Sequence, residues 1–514
     1  MLGLSGAMSA VVLLVVSVPI TFLALLVWVT SRFPKTTMPM PPGRSKIWGS
    51  LPALLGPTDP ANPLFDASFS HWHRVADVTN ILLLSKLGKL VCYDVTLPAA
   101  TRMLLVSDLD LIKQVIADDP PKADYNINVF LGQGLVSAGG DVWRHDRRLL
   151  NPAFNKRFLR DFVFPSVVKH ATTMGSQLEQ VEAYTKTDIN DYFRRMTLDI
   201  ISEATMGRDY GLQKTPDHPL LVLMMDVFEE LSQREINPLR GYHPWHSFKL
   251  KRNLQAFDKH CTDLVIEERA NLAGDAAAER KYERGILSVM LGEDEDGSSM
   301  PLSRIVDNIK TFLFAGHDTT STLLSFAVGM IATHKHVEDK LLAEIDSVLG
   351  DRSEPTHDDL SRFVYLKMVL KETLRMFPPA ATGRRLPMGY RLGDYVVDYP
   401  KTDIIISSYV VHHDPELWED PEIFDPERFS EENSKGRHPL SFIPFLAGNR
   451  NCIGQHLALM EATVALAMIY RKFTFRMAYG HVPQLTYRIT NVCANGMKVF
   501  VFQRSQPGVA GLNT

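Results

Sequence analysis

A cysteine stands in Phe445-Leu-Ala-Gly448-Asn-Arg450-Asn-Cys452-Ile-Gly454, directly ahead of a helix-like run that begins at Gln455. A cysteine just before a helix has its thiolate favoured by the N-terminal dipole and by backbone N–H groups that lack partners. Glycines let the backbone approach a flat macrocycle closely. Arg450 supplies a cation for a propionate, and Phe445 shields the sulfur from water. Such a thiolate suits haem iron, to which it donates electron density that favours O–O cleavage. A second segment, Ala315-Gly316-His317-Asp318-Thr319-Thr320, could serve an opposite face. A helical threonine hydroxyl can bond back to the carbonyl four residues earlier, here that of Ala315. Gly316 weakens the helix, so a notch can open there for O₂ and water.

Three further spacings accompany these. Glu372-Thr-Leu-Arg375 puts a carboxylate and a guanidinium on one helix face, and Trp143-Arg-His-Asp-Arg147 puts an indole and a guanidinium on another. Phe424-Asp-Pro426-Glu-Arg428-Phe429 supplies a second arginine. Taken along the chain, at Trp143, Ala315, Glu372, Pro426 and Phe445, the five segments resemble the cytochrome P-450 superfamily of the eukaryotic microsomal type, over nearly all of the chain after its N-terminal stretch. The resemblance implies a mainly α fold with minor β, a large helical domain plus a small β-rich region. It implies Cys452 as axial ligand of a haem b iron, with Trp143, Arg147, Phe445, Arg450 and Gly454 binding the cofactor. Arg384 or Arg385 would add a propionate contact. Asp318 would feed protons to the oxygen-activating face, and Thr319 would hold the oxygen and its water. Glu372, Arg375 and Arg428 would form a network that locks the cysteine loop, a folding role. Val129, Phe130, Phe312, Ala315, Ala380, Ala381, Thr382 and Val492 would line the substrate pocket.

The activity implied is a monooxygenase that inserts one atom of O₂ into a lipophilic small molecule, with electrons from NADPH through a separate flavoprotein reductase and cytochrome b5 as a further candidate donor. The basic residues Arg144, Arg148, Lys156, Arg157 and Arg160 fall where such a reductase would dock. A specialised (secondary) metabolite such as a terpenoid or polyketide is the expected substrate, and fatty-acid chain-end hydroxylation is the alternative. Intact Asp318 and Thr319 argue against a haem-thiolate isomerase or peroxygenase needing no reductase, and against a non-catalytic haem carrier.

The elements that must position these residues follow from pattern. The chain has 514 residues, 45% of them hydrophobic, enough to bury a large core. Its net charge of −4 gives no reason to expect nucleic acid. Four cysteines without a C-x-x-C pair suggest neither a zinc site nor a disulfide framework. After a short segment 1–9, the run 10–30 is apolar and long enough to span a bilayer, and Arg32, Lys35, Arg44 and Lys46 follow it. That predicts a single transmembrane anchor with its N-terminus lumenal, a proline-rich tether over 31–47, and a cytosolic catalytic domain over 48–514, with the endoplasmic reticulum implied by resemblance. Apolar spacing predicts a long helix from Ile305 to about Ala332, and another segment opening near Thr356 with a capping box to Asp359 and ending before Pro378. Strands are expected at Leu104–Val106, Asp403–Val411 and Val499–Gln503. Glu293–Ser299 reads as a solvated loop, and the aromatic stretch Pro238–Phe248 as one that touches the bilayer surface. Gly132-Gln-Gly134 lacks the third glycine of a dinucleotide fingerprint, and adjacent His412-His413 cannot face one metal.

Overall fold

The computed structural model describes residues 89–95, 101–236, 238–274, 285–292, 299–487 and 489–504. The expected anchor, tether and most of the acidic loop lie outside them. Among the described residues, no helix is long and apolar enough to cross a membrane.

The chain falls into two compact units. In the smaller, strands Leu90–Val95, Thr101–Val106, Thr402–Ile406 and Thr382–Leu386 pair in that order, and Leu104 lies opposite Ile404 with both side chains fully buried. Helix α1 (Leu109–Asp118) is capped by Asp108, whose carboxylate accepts the N–H groups of Asp110 at 2.9 Å and Leu111 at 3.0 Å. The strand expected over Asp403–Val411 stops at Ile406. Ile406 pairs with Val106 on one side and Thr382 on the other, and each of these is the end of its own strand. With no ladder left on either side, the chain turns into a short helix, Ser408–His412, which belongs to the larger unit.

That larger unit is helical: α2 (Gly140–Leu150), α3 (Phe164–Leu178), α4 (Ile189–Met206), α5 (Pro219–Ile236), α6 (Pro244–Gly274), α7 (Leu302–Thr333), α8 (Lys335–Leu349), α9 (Val364–Met376) and α10 (Gln455–Lys472). Its strands are a three-stranded sheet and the hairpin Leu485–Tyr487 with Asn491–Cys493. The strand expected at Val499–Gln503 is present within Lys498–Gln503, and the helix expected from Ile305 is α7. The Thr356 box also forms, with the Thr356 N–H donating to Asp359 at 2.8 Å, but it closes the tight turn Asp358–Ser361, and α9 begins only at Val364.

Helix α7 is the axis on which the chemistry depends, and its neighbours are set by side chains too small or too polar for ordinary packing. Gly316 faces α4, and a Cβ there would stand 2.7 Å from Ile201 Cδ1, so the glycine buys close approach. The Thr197 hydroxyl reinforces that contact by donating to the His317 carbonyl at 3.0 Å. The helix is continuous over Leu302–Thr333. Ile201 of the neighbouring helix fills the space that the missing side chain at Gly316 frees. On the other side, fully buried Asp146 of α2 pairs with Arg304 and accepts from Asn308 Nδ2 at 3.1 Å. The Gln133 N–H donates to Asp307 at 2.8 Å, and the Leu135 N–H to Asn308 at 2.9 Å. Gly134 is required here because a Cβ would overlap Thr311 and the Asp307 backbone. The paired glycines that read as a failed nucleotide motif are thus a contact surface for α7.

Candidate active site

Cys452 lies in the loop ahead of α10, and its N–H donates to the Phe445 carbonyl at 2.9 Å, closing the loop on itself. Leu446 within it adopts φ 59°, a strained conformation for a bulky residue that costs about 1–3 kcal/mol and that the Leu446 N–H bond to Ile443 at 3.0 Å helps to hold. Of the four cysteines, Cys92, Cys261 and Cys493 are buried and Cys452 is exposed. Its sulfur is reachable, so it can meet a ligand, yet protein crowds its remaining sides. That crowding pushes the thiol pKa up, while a backbone bond to Gly454 and the charge of Arg147 act the other way. Arg147 sends one guanidinium N–H to the Asn451 carbonyl and another to the Asn451 side-chain oxygen, both at 2.8 Å, gripping the residue just before the cysteine. Arg450 donates to the Ala138 carbonyl at 2.8 Å and stacks over the buried Trp143 ring at 4.0 Å. The segment 138–147 therefore reaches the cysteine loop at two points.

Near the end of α9, fully buried Glu372 and Arg375 form a two-pronged pair, with both N–O distances 2.8 Å. Arg428 stands 3.5 Å from Glu372 and donates to the Asp420 carbonyl at 2.8 Å, and the Asp425 N–H donates to Glu372 at 3.0 Å. Burial pushes the Glu372 carboxyl pKa up, and its arginine bonds hold it down. Arg375 also donates to the carbonyls of His412 at 2.9 Å and Ile423 at 3.2 Å. The three residues expected to form a network do come together.

One member of that network was missed from sequence, where His412 was weighed only as a metal ligand. It is fully buried; its Nε2 accepts the Ile443 N–H at 2.9 Å, which fixes Nδ1 as the donor to the Arg375 carbonyl at 3.2 Å. It thus ties the end of α9 to a residue two positions before Phe445. Burial first, and then the Arg375 charge, lower its pKa from 6.5 to about 3. In the folded protein it stays neutral, whereas in the unfolded chain it protonates below 6.5, so its share of stability is intact above 6.5 and is lost as pH falls toward about 3. His412→Asn should therefore flatten the fall in thermal midpoint between pH 6.5 and 4.5, while lowering the midpoint at pH 7.5. A variant with unchanged slope would remove His412 from this role.

On α7, the Thr319 hydroxyl donates to the Ala315 carbonyl at 2.7 Å, as the spacing predicted. His317 points elsewhere: it is buried, bonded to the Leu313 carbonyl at 2.6 Å and stacked on Phe228. Burial lowers its pKa. A cavity of about 410 Å³ adjoins this stretch, lined by Phe228, Phe314, Asp318, Thr322, Thr490 and Val492, among others. Its size is that of a small-molecule site. Val492 was an expected lining residue; Phe228 and Phe314 were not, because single aromatics on long helices carry no signal that separates lining from core. Phe130 lies in the core instead, in edge contact with Phe228 and Phe257, and Phe312 is buried against Phe154. Val129 is exposed, as are Ala380 and Ala381. In the smaller unit, Thr382 accepts from Lys122 at 3.0 Å and Arg384 at 2.9 Å, while Arg385 pairs with Asp403.

Comparison with known proteins agrees with this constellation. The family model for cytochrome P450 matches residues 91–493. Human cytochrome P450 4X1 is 31% identical over 390 residues, covering 72% of this chain and 75% of its own. Mouse cytochrome P450 4V2 is 34% identical, covering 67% of this chain and 68% of its own. The crystal structure of cytochrome P450DA heme domain superposes with a TM-score of 0.76 at 22% identity, over 91% of this chain and 98% of that one, a likeness of fold. The chain belongs to the cytochrome P450 family. It is a haem-thiolate monooxygenase whose cofactor carries haem iron and which draws on a redox partner, a substrate and O₂.

Proposed function

We propose that Cys452 is the thiolate ligand of a haem b iron and that the chain oxygenates a lipophilic small molecule in specialised metabolism. The observation that carries the assignment is the single exposed cysteine sulfur, set in a loop that Arg147 grips and ahead of α10. The donor set fits the group: a reachable sulfur with a backbone N–H at Gly454, a half-buried Phe445 beside it, and cationic Arg147 and Arg450 with Trp143 for the propionate edge. When bound, haem supplies the iron at which O₂ is activated. Asp318 would pass protons from solvent toward that face, and Thr319 would position oxygen and water once its hydroxyl leaves the Ala315 carbonyl. Glu372, Arg375, Arg428 and His412 would keep the loop in place without touching reactants.

Electrons would come from NADPH through a flavoprotein reductase, with cytochrome b5 as a second donor. Arg148 and Lys156 present exposed charge for that docking, and Arg144, Arg157 and Arg160 share theirs with Asp141 and Asp161. Residues 10–30 would anchor a catalytic domain of residues 48–514 on the cytosolic side of the endoplasmic reticulum. Tyr242, Trp245 and Phe248, all exposed, support a second contact with the bilayer surface. Comparing metabolites of cells with and without the intact chain should reveal a product heavier by one oxygen atom. Turnover of a hydroperoxide without reductase or O₂ would overturn the reading. The second reading, chain-end hydroxylation of a fatty acid, would use Arg194 as the cation for the carboxylate, on a wall that also carries Asp188, Glu229 and Asp318.

A further inference from the structure

Asp318 and Thr319 are consecutive on α7, so their side chains leave the helix about 100° apart. Thr319 is turned back onto Ala315, whereas Asp318 accepts a hydrogen bond from the hydroxyl of Thr490. Thr490 is 172 residues away in sequence and only 4% exposed. Its position is built: the next residue, Asn491, donates its N–H to the Pro379 carbonyl at 2.8 Å and its side-chain amide to the Pro378 carbonyl at 2.7 Å. The hydroxyl thus comes from a hairpin turn fixed at its base. Asp318 and Thr490 both line the cavity of about 410 Å³, whose wall also carries Arg194, Glu229, Asp188 and Lys498. Charged groups on that scale hold water, so the Asp318 carboxylate is presented to a polar space while Thr319 leaves the helix about 100° around from it.

We propose that Thr490 is a positioning residue for proton delivery: its hydroxyl holds the Asp318 carboxylate at the polar cavity, where it takes a proton from water, and release of that bond lets the protonated side chain turn toward Thr319. The step moves one proton from bulk solvent, relayed by cavity water that solvent restores, to Asp318 and on to the Thr319 hydroxyl, with no change of oxidation state at either residue. This inference rests on the monooxygenase reading. Thr490→Val keeps the shape and removes the donor, and Thr490→Ser keeps the donor.

The test uses the haem-loaded full chain with NADPH, O₂ and a purified flavoprotein reductase, without added substrate. Thr490→Val should slow NADPH oxidation roughly tenfold, the worth of one hydrogen bond to a charged group, and should enlarge the solvent deuterium effect; Thr490→Ser should restore both. In an Asp318→Asn background, Thr490→Val should change nothing further. Thermal midpoints of Thr490→Val, of Asp318→Ala, which removes the acceptor, and of their double variant should be non-additive, a readout independent of turnover. Equal rates and isotope effects in Thr490→Val, or fully additive effects in the double variant, would overturn the proposal. Absence of NADPH oxidation by the unaltered protein would instead overturn the monooxygenase reading, and the thermal cycle would then decide the Thr490 contact alone.

Discussion

Replacing Arg375 by alanine is expected to yield a protein that unfolds about 3–5 kcal/mol more easily and retains little haem, because it strands a buried charge. Glu372 is fully buried and receives two 2.8 Å bonds from Arg375. With that fork gone, its nearest remaining cation is Arg428, at 3.5 Å. The carbonyls of His412 and Ile423 lose a donor as well, and each unsatisfied buried group costs about 1–3 kcal/mol. A domain is typically stable by only 5–15 kcal/mol, so the loss is a large share. Arg375→Lys should fall between, since an ammonium cannot make the two-pronged contact. Urea midpoints and haem content per chain check this; wild-type values for Arg375→Ala would show that the pair carries no structural weight.

Asp318→Asn is expected to leave fold and haem spectrum intact while slowing turnover by roughly 10²-fold or more, the usual contribution of a positioned proton donor. The asparagine can still accept from Thr490, so the local geometry survives and only proton exchange is lost. Thr319→Val should instead uncouple NADPH consumption from product and release hydrogen peroxide, since its hydroxyl is then unavailable to hold oxygen and water. Single-turnover rates with reductase and a peroxide assay separate the two. An Asp318→Asn enzyme with wild-type rate would remove Asp318 from the proton path.

Much of this site was legible in the sequence because its parts are local. The cysteine loop, Glu372 with Arg375, and Thr319 with Ala315 each lie within one turn or one helical repeat, and their spacing alone sets their geometry. The α7 helix was readable for the same reason: its apolar period runs over about eight turns, from Ile305 to Ala332. What escaped depends on contacts between distant segments. His412 is joined to Ile443 across 31 residues, and Thr490 to Asp318 across 172. Gly316 and Gly134 signalled small size but not what fills the space. The strand after Asp403 was drawn too long because Tyr409, Val410 and Val411 resume a strand-like composition after Ser407-Ser408, while pairing partners end at Ile406. Phe130 and Phe228 are both helical aromatics, and only packing decided that one is core and the other lines a cavity.

The central claim is that Cys452 binds haem iron as a thiolate, and the spectrum of the reduced, CO-bound protein tests it most directly. The unaltered protein should show the red-shifted Soret band of a thiolate ligand, and Cys452→Ser should lose that band even where it retains haem. Persistence of the red-shifted band in Cys452→Ser would contradict the assignment.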